Sequence, residues 1–282
     1  MKKIMKYLLS LILLISSSTV AVTHAENEKF LTWDQIKERG YLLVATEGTY
    51  APVTYVNEEG TLTGFDVELM RKIGEYLEIE VEFVPTVADA LLPAIRNGQA
   101  DLVANNVTIT EDRLEQFEMS VPYKYSYSTV IIKKENKDKY KDALDLTNGR
   151  FAVGSLTGTY AQFAEAVGAQ PILYDAGTDA ILMDVMRGQV DGYLNERLVA
   201  LQTVKEYDND DLIVDLKVKY DPISAGFPAA KGNTSLIEKI DEAIEALLKD
   251  GTIKQLSIEF YGEDATEKPG EDEKIITKDD IK

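Results

Sequence analysis

Short apolar runs alternate with amphipathic stretches along most of this chain, and that alternation restricts its fold more than any other feature. Residues 41–45, 81–84 and 100–104 each read as one buried strand. Between the first two, Phe65, Leu69, Met70, Ile73, Tyr76 and Leu77 recur at helical spacing. Between the second and third, a helix is expected from about Asp89, with Pro93 in its first turn and Gly98 past its end. That order calls for an α/β sheet covered by helices on both faces. A second α/β unit begins near Thr129. It includes strands at 151–153 and 190–194 and helices after Thr159 and around Ile181. Residues 226–261 add one strand and a long helix with the apolar stripe Ile237, Ile240, Ile244, Leu247 and Leu248. Ser235 with Glu238 suits a capping box at its start, and Gly251 ends it.

The first 25 residues read as a cleavable signal peptide. Lys2, Lys3 and Lys6 precede a short apolar core, Tyr7 to Ile15, and Thr23-His24-Ala25 offers a cleavage site. The apolar run falls short of the about 20 residues needed to span a bilayer. The only histidine is in that segment, and the chain has no cysteine, so the mature chain has neither disulfides nor Cys/His metal ligands. No cofactor or metal is expected. Without a cysteine there is no lipid anchor, which favours a soluble periplasmic protein. The net charge of −19 becomes −19 − 3 = −22 once the three leader lysines are removed. So acidic a chain is a poor partner for nucleic acid or anionic membranes. Residues 263–282 are polar and acidic and read as a flexible, solvated tail.

The run Asn105-Asn106-Val107-Thr108-Ile109-Thr110-Glu111-Asp112-Arg113 follows the third strand. It offers amides, hydroxyls, open backbone donors and one guanidinium, which together suit a small carboxylate. It equally suits a helix N-cap at Thr110 with Arg113 on the first turn. Four other segments follow strands or open helices, where ligand crevices of open α/β sheets form. Residues 46–50 bring Glu47 and Tyr50. Residues 154–160 bring Gly158 and Thr159 at a helix start, without the Gly-Lys-Ser/Thr of a nucleotide loop. Residues 195–197 bring Asn195 and Glu196, and residues 88–89 bring Ala88 and Asp89. Each of these also reads as an ordinary loop or cap.

Taken together, these segments resemble the family 3 extracellular solute-binding proteins of ABC importers, which capture polar amino acids. The resemblance rests on residues 44–52, 62–68, 109–113, Pro122-Tyr123 and Asp250-Gly251-Thr252, and covers nearly all of the chain from Thr32 to Gly262. Residues 33–37, 46–50, 104–107 and 194–198 are most similar to the L-cystine-binding branch. The resemblance implies a two-lobed periplasmic binding protein fold of type II, with each lobe a mixed sheet flanked by helices. It implies lobe 1 over 26–122 and 226–262, lobe 2 over 128–220, and hinges at 123–127 and 221–225. It also implies a monomer that partners an inner-membrane ABC permease.

By the same resemblance, Arg113 would hold a ligand α-carboxylate with Thr108 and backbone N–H groups near Gly158 and Thr159. Glu196, where most relatives have aspartate, would receive the α-ammonium with the Asn106 carbonyl and the Thr108 hydroxyl. Glu47, Tyr50 and Asn195 would face the ligand side chain. Ala88 stands where the cystine branch has tryptophan and Val53 where phenylalanine is common, which predicts a wider pocket with less stacking area. Some dehydratases acting on prephenate or arogenate share this scaffold, and Glu47 or Glu196 would then serve as general acid. Neither glutamate has a sequence partner suited to that role.

Overall fold

The computed structural model of the protein describes residues 30–175, 177–270 and 274–281. The expected signal peptide lies outside the described residues.

The chain runs through α1 (Trp33–Arg39), β1 (Tyr41–Thr46), a small antiparallel flap of β2 (Thr49–Tyr50), β3 (Thr54–Val56) and β4 (Leu62–Thr63), then α2 (Phe65–Leu77) and β5 (Glu80–Pro85). It continues through α3 (Leu91–Arg96), β6 (Leu102–Val103), α4 (Glu111–Gln116) and β7 (Phe117–Met119). The second unit holds β8 (Lys124–Lys133), β9 (Arg150–Val153), α5 (Thr159–Ala166), β10 (Gln170–Leu173), α6 (Thr178–Met186), β11 (Gly192–Glu196), α7 (Arg197–Tyr207) and β12 (Leu212–Val214). β13 (Tyr220–Ala225) leads back to β14 (Pro228–Ala230), α8 (Thr234–Lys249) and α9 (Thr252–Tyr261).

Two mixed sheets result. The first has the order β5-β1-β6-β14-β7, with β1 parallel to both neighbours and β14 antiparallel to both of its own. Leu42 and Val44 pack with Phe65, Leu69 and Ile73 on one face, while Ala45 and Val103 pack with Leu91 and Ile95 on the other. A strand covered on both faces has to be apolar throughout, which is why β1 reads as a continuous run. The second sheet has the order β10-β9-β11-β8-β12. Val130 and Ile132 face Phe151 and Phe163, whereas Ile131 faces Ile181, Leu182 and Val185, as the two-residue period of a strand requires.

Between β7 and β14 the chain passes between the sheets twice, and the two passages lie side by side. β13 pairs antiparallel with the first half of β8, from Tyr220 opposite Ser128 to Ala225 opposite Lys124. The end of this ladder reaches the asparagine–arginine run: Ile109 N–H donates to Ser224 O (2.8 Å), and Gly226 N–H donates to Val107 O (3.0 Å).

Two local expectations are corrected. The cap of α8 is Asn233, and Ser235 Oγ instead accepts from Trp33 N–H of α1 at 3.1 Å, so it joins two helices. The tail is not a free extension over its described residues. Ala265 is buried and accepts from Tyr125 N–H (2.8 Å), and Asp264 pairs with Lys254 (2.8 Å). Ile276 is buried against Phe163 and Tyr220, and its backbone bonds to Lys219 and Asp221 as an extra edge partner of β13. Isolated apolar anchors such as these have no period, so a pattern search passes over them.

Candidate functional site

A cavity of about 480 Å³ opens between the sheets. It lies beyond the C-terminal ends of β1, β6, β9 and β11, the usual crevice of open α/β sheets. Of the ten residues singled out from sequence, Glu47, Tyr50, Ala88, Asn106, Thr108, Arg113, Gly158 and Thr159 line it. Asn195 and Glu196 do not; they lie behind its wall.

Arg113 serves both of its possible readings. Thr110 caps α4 by accepting from Arg113 N–H (3.3 Å), and the side chain of Arg113 leaves the first turn towards the cavity. Its Nη1 donates to Thr108 O (2.7 Å), which fixes one edge of the guanidinium. Burial pushes its pKa below the usual arginine value. Among the described residues no carboxylate pairs with it. A part-buried guanidinium with a free edge offers a fork that fits a planar carboxylate. Opposite, Gly158 and Thr159 open α5, whose first-turn N–H groups have no partner within the helix.

Asn106 is held in the left-handed region, with φ of +52°. Its N–H donates to the buried Asp66 carboxylate (2.6 Å), which also accepts from Tyr123 Oη (2.8 Å). Burial pushes the Asp66 carboxyl up to about 6, despite these bonds and the nearby Lys124. Asp66 reaches this place because Gly64, with φ of +120°, turns tightly into α2; a Cβ there would stand 2.5 Å from Val53 O. The side chain of Asn106 donates weakly to Glu196 (3.4 Å), and its Oδ1 is buried without a partner among the described residues.

Glu196 ends β11 and caps α7, accepting from Leu198 N–H at 3.0 Å. Its other oxygen lies 2.6 Å from Lys124 Nζ, and both side chains are fully buried. Sequence reading missed Lys124. A lysine among tyrosines and serines in a strand gives no signal that it points inward. Asn195 Oδ1 accepts from Tyr50 Oη (2.6 Å) and from Glu196 N–H (2.8 Å). Tyr160 and Tyr193 complete this wall, and burial raises both phenols, as it does Tyr50.

At the rim, Glu47 N–H donates to Asn105 Oδ1 (3.0 Å), and the Glu47 carboxylate accepts from Asn105 (3.2 Å) and Thr49 (3.2 Å). Burial raises the Glu47 carboxyl; those bonds oppose the rise, and Asp175 and Asp89 add to it. Asp89, beside Ala88, accepts from the Ser155 and Thr157 hydroxyls of the second unit. Val53 is buried in the core of the first unit and does not line the cavity, so its size does not widen the pocket wall. Among the described residues no group of acidic, histidine or cysteine side chains is arranged to hold a metal ion.

Two mixed sheets, a double strand crossing and a crevice lined from both sides define the two-lobed type II periplasmic binding protein fold. The chain belongs to the bacterial extracellular solute-binding proteins, family 3, whose model matches residues 42–263. It is 35% identical over 237 residues to a probable amino-acid ABC transporter-binding protein of Haemophilus influenzae, covering 83% of this chain and 90% of that one. It is 34% identical to the L-cystine-binding protein TcyJ of Escherichia coli K12, covering 83% and 87%. The crystal structure of YckB from Bacillus subtilis superposes with a TM-score of 0.72 at 32% identity, covering 88% and 99%. Membership of this family makes the chain a binding protein rather than an enzyme.

Proposed function

We propose that the chain is the substrate-binding protein of an ABC importer for a polar amino acid, with L-cystine the first candidate. It would work in the periplasm after loss of its leader, as a monomer that hands its ligand to the permease. The observation that carries this reading is Arg113, a part-buried guanidinium that faces the cavity with no carboxylate partner among the described residues. An α-carboxylate is the natural counter-ion, with Thr108 and the N–H groups of Gly158 and Thr159 as further donors. Asn106 Oδ1 is an acceptor in want of a donor and suits the α-ammonium, with Glu196 behind it. Glu47, Tyr50 and Ala88 remain for the side chain, with Asn195 behind Tyr50.

In this reading residues 26–122 and 226–262 form one lobe and 128–220 the other. Residues 123–127 and 221–225 act as hinges. Contacts such as Tyr50 with Asn195 then belong to the closed state, which the ligand favours by touching both lobes. Cystine is favoured by the sequence similarity to cystine-binding relatives. Native mass spectrometry of freshly purified protein, with a thermal-shift panel of amino acids, tests the proposal. A co-purified amino-acid mass and a matching rise in Tm support it; a ligand at a hundredfold excess over Kd stabilises by about 2.7 kcal/mol. No retained mass and no shift with any amino acid, cystine included, would overturn it.

A further inference from the structure

The anionic half of the site contains a cation of its own. Lys124, the first residue of β8, is fully buried, with Nζ 2.6 Å from Glu196 and 4.7 Å from the centre of the Tyr261 ring. Asp66 belongs to the same group: the charges of Lys124 and Glu196 act on its carboxyl, and its own charge acts on Tyr123 and Tyr261. Asn106 joins the group to the cavity, with its N–H on Asp66 and its side-chain amide towards Glu196. Asp66, Lys124 and Glu196 therefore sum to one negative charge, set against the one positive charge of Arg113.

A buried ion pair is a poor way to gain stability, because desolvation of both ions offsets most of their attraction. The placement of Lys124 has a clearer consequence for binding. Without it, two carboxylates would stand behind the ammonium subsite. With it, the group behind Asn106 carries one net negative charge, set across the cavity from the positive charge of Arg113, the pattern a zwitterion needs.

We propose that Lys124 is a positioning residue for ligand recognition: it pins Glu196 and trims the charge behind Asn106 to a single negative unit, matching the site to one ammonium. This rests on the amino-acid reading above. It concerns a residue that does not line the cavity and acts through Glu196 and Asp66.

The test measures a ratio of affinities by calorimetry at pH 7.5. The probes are L-cystine against 3,3′-dithiodipropionate, and L-arginine against 5-guanidinopentanoate; each second compound lacks the α-ammonium. Lys124→Met removes the cation that opposes Glu196, so the preference for the amino acid over its deaminated partner should grow about tenfold. Asp66→Asn removes one negative unit, so the preference should shrink by a similar factor. Lys124→Gln removes the same charge but can keep a donor to Glu196, and the preference should grow by a similar factor. That variant keeps the test decisive if Lys124→Met fails to fold. A purely structural Lys124 would lower Tm and leave every ratio unchanged. Unchanged ratios in folded Asp66→Asn and in either Lys124 variant that folds overturn the proposal. If wild type binds none of the four compounds, the ratio is read on the amino acid that the thermal-shift panel identifies and its deaminated analogue, and the amino-acid reading falls only if the panel yields none; if wild type binds and the ratios stay fixed, only the role of Lys124 falls.

Discussion

The Tyr50 hydroxyl, from the flap of the first unit, donates to Asn195 Oδ1 at the end of the central strand of the second, at 2.6 Å. The bond spans the cleft beside the cavity. With the Asp89 contacts to Ser155 and Thr157, it ties the two sheets together on the open side of the molecule, away from the β8–β13 crossing. Tyr50→Phe removes one such bond and little volume. It should shift the unliganded chain towards an open state by about 1 kcal/mol, a severalfold change in population. Small-angle X-ray scattering checks this: the variant should show a larger radius of gyration without ligand and the same one with it.

Arg113→Lys keeps the positive charge but loses the planar fork. Thr108 O and an incoming carboxylate then compete for one ammonium, so affinity for the bound amino acid should fall about a hundredfold or more. Its urea midpoint should stay near that of wild type, since the side chain has no ion-pair partner among the described residues. A calorimetric titration and a denaturation curve on the same sample separate the two effects.

The Asp66 carboxyl sits at about 6 in the folded chain against an ordinary 3.8. The folded state thus binds this proton more tightly than the unfolded one. The stability gained is fully present below the unfolded value and is lost as pH rises through about 6. Wild type should therefore gain about 1 kcal/mol from this group between pH 7 and pH 5. Asp221, raised to about 6 by burial against the opposing charge of Lys278, adds in the same direction. Urea unfolding at both pH values should show that Asp66→Asn gains less than wild type over this interval. An equal gain contradicts the assignment.

Ile276 packs against Phe163 and Tyr220 beside the crossing strands. Ile276→Ala should cost about 2–4 kcal/mol by leaving a cavity there. A chain ending at Gly262 should lose at least as much, since it also gives up the Ala265 bond to Tyr125. Chemical denaturation of both variants measures it. A tail without a structural role would leave the midpoint unchanged.

The layout of the sheets was legible because β1 and the second half of β8 are continuous apolar runs and the α8 stripe recurs at helical spacing. The eight cavity-lining residues were legible because they sit in short motifs at strand ends, where a crevice has to form. Lys124 was not, because its burial is decided by Glu196, 72 residues away in the chain. Asp66 lay within a motif, yet its contact with Asn106 depends on how α2 packs under the loop. Val53 failed as a pocket residue because sequence position does not say which side of the flap faces the core. The tail failed because three or four isolated anchors hold it without any repeat.

Calorimetric titration of ligand-stripped protein with L-cystine and a panel of polar amino acids, repeated with Arg113→Ala, tests the central claim most directly. Arg113 holding an α-carboxylate in the cleft predicts at least one amino acid bound more tightly than about 100 µM, weakened by about 2–5 kcal/mol in the variant. No binding to wild type, or equal binding to both proteins, would contradict it.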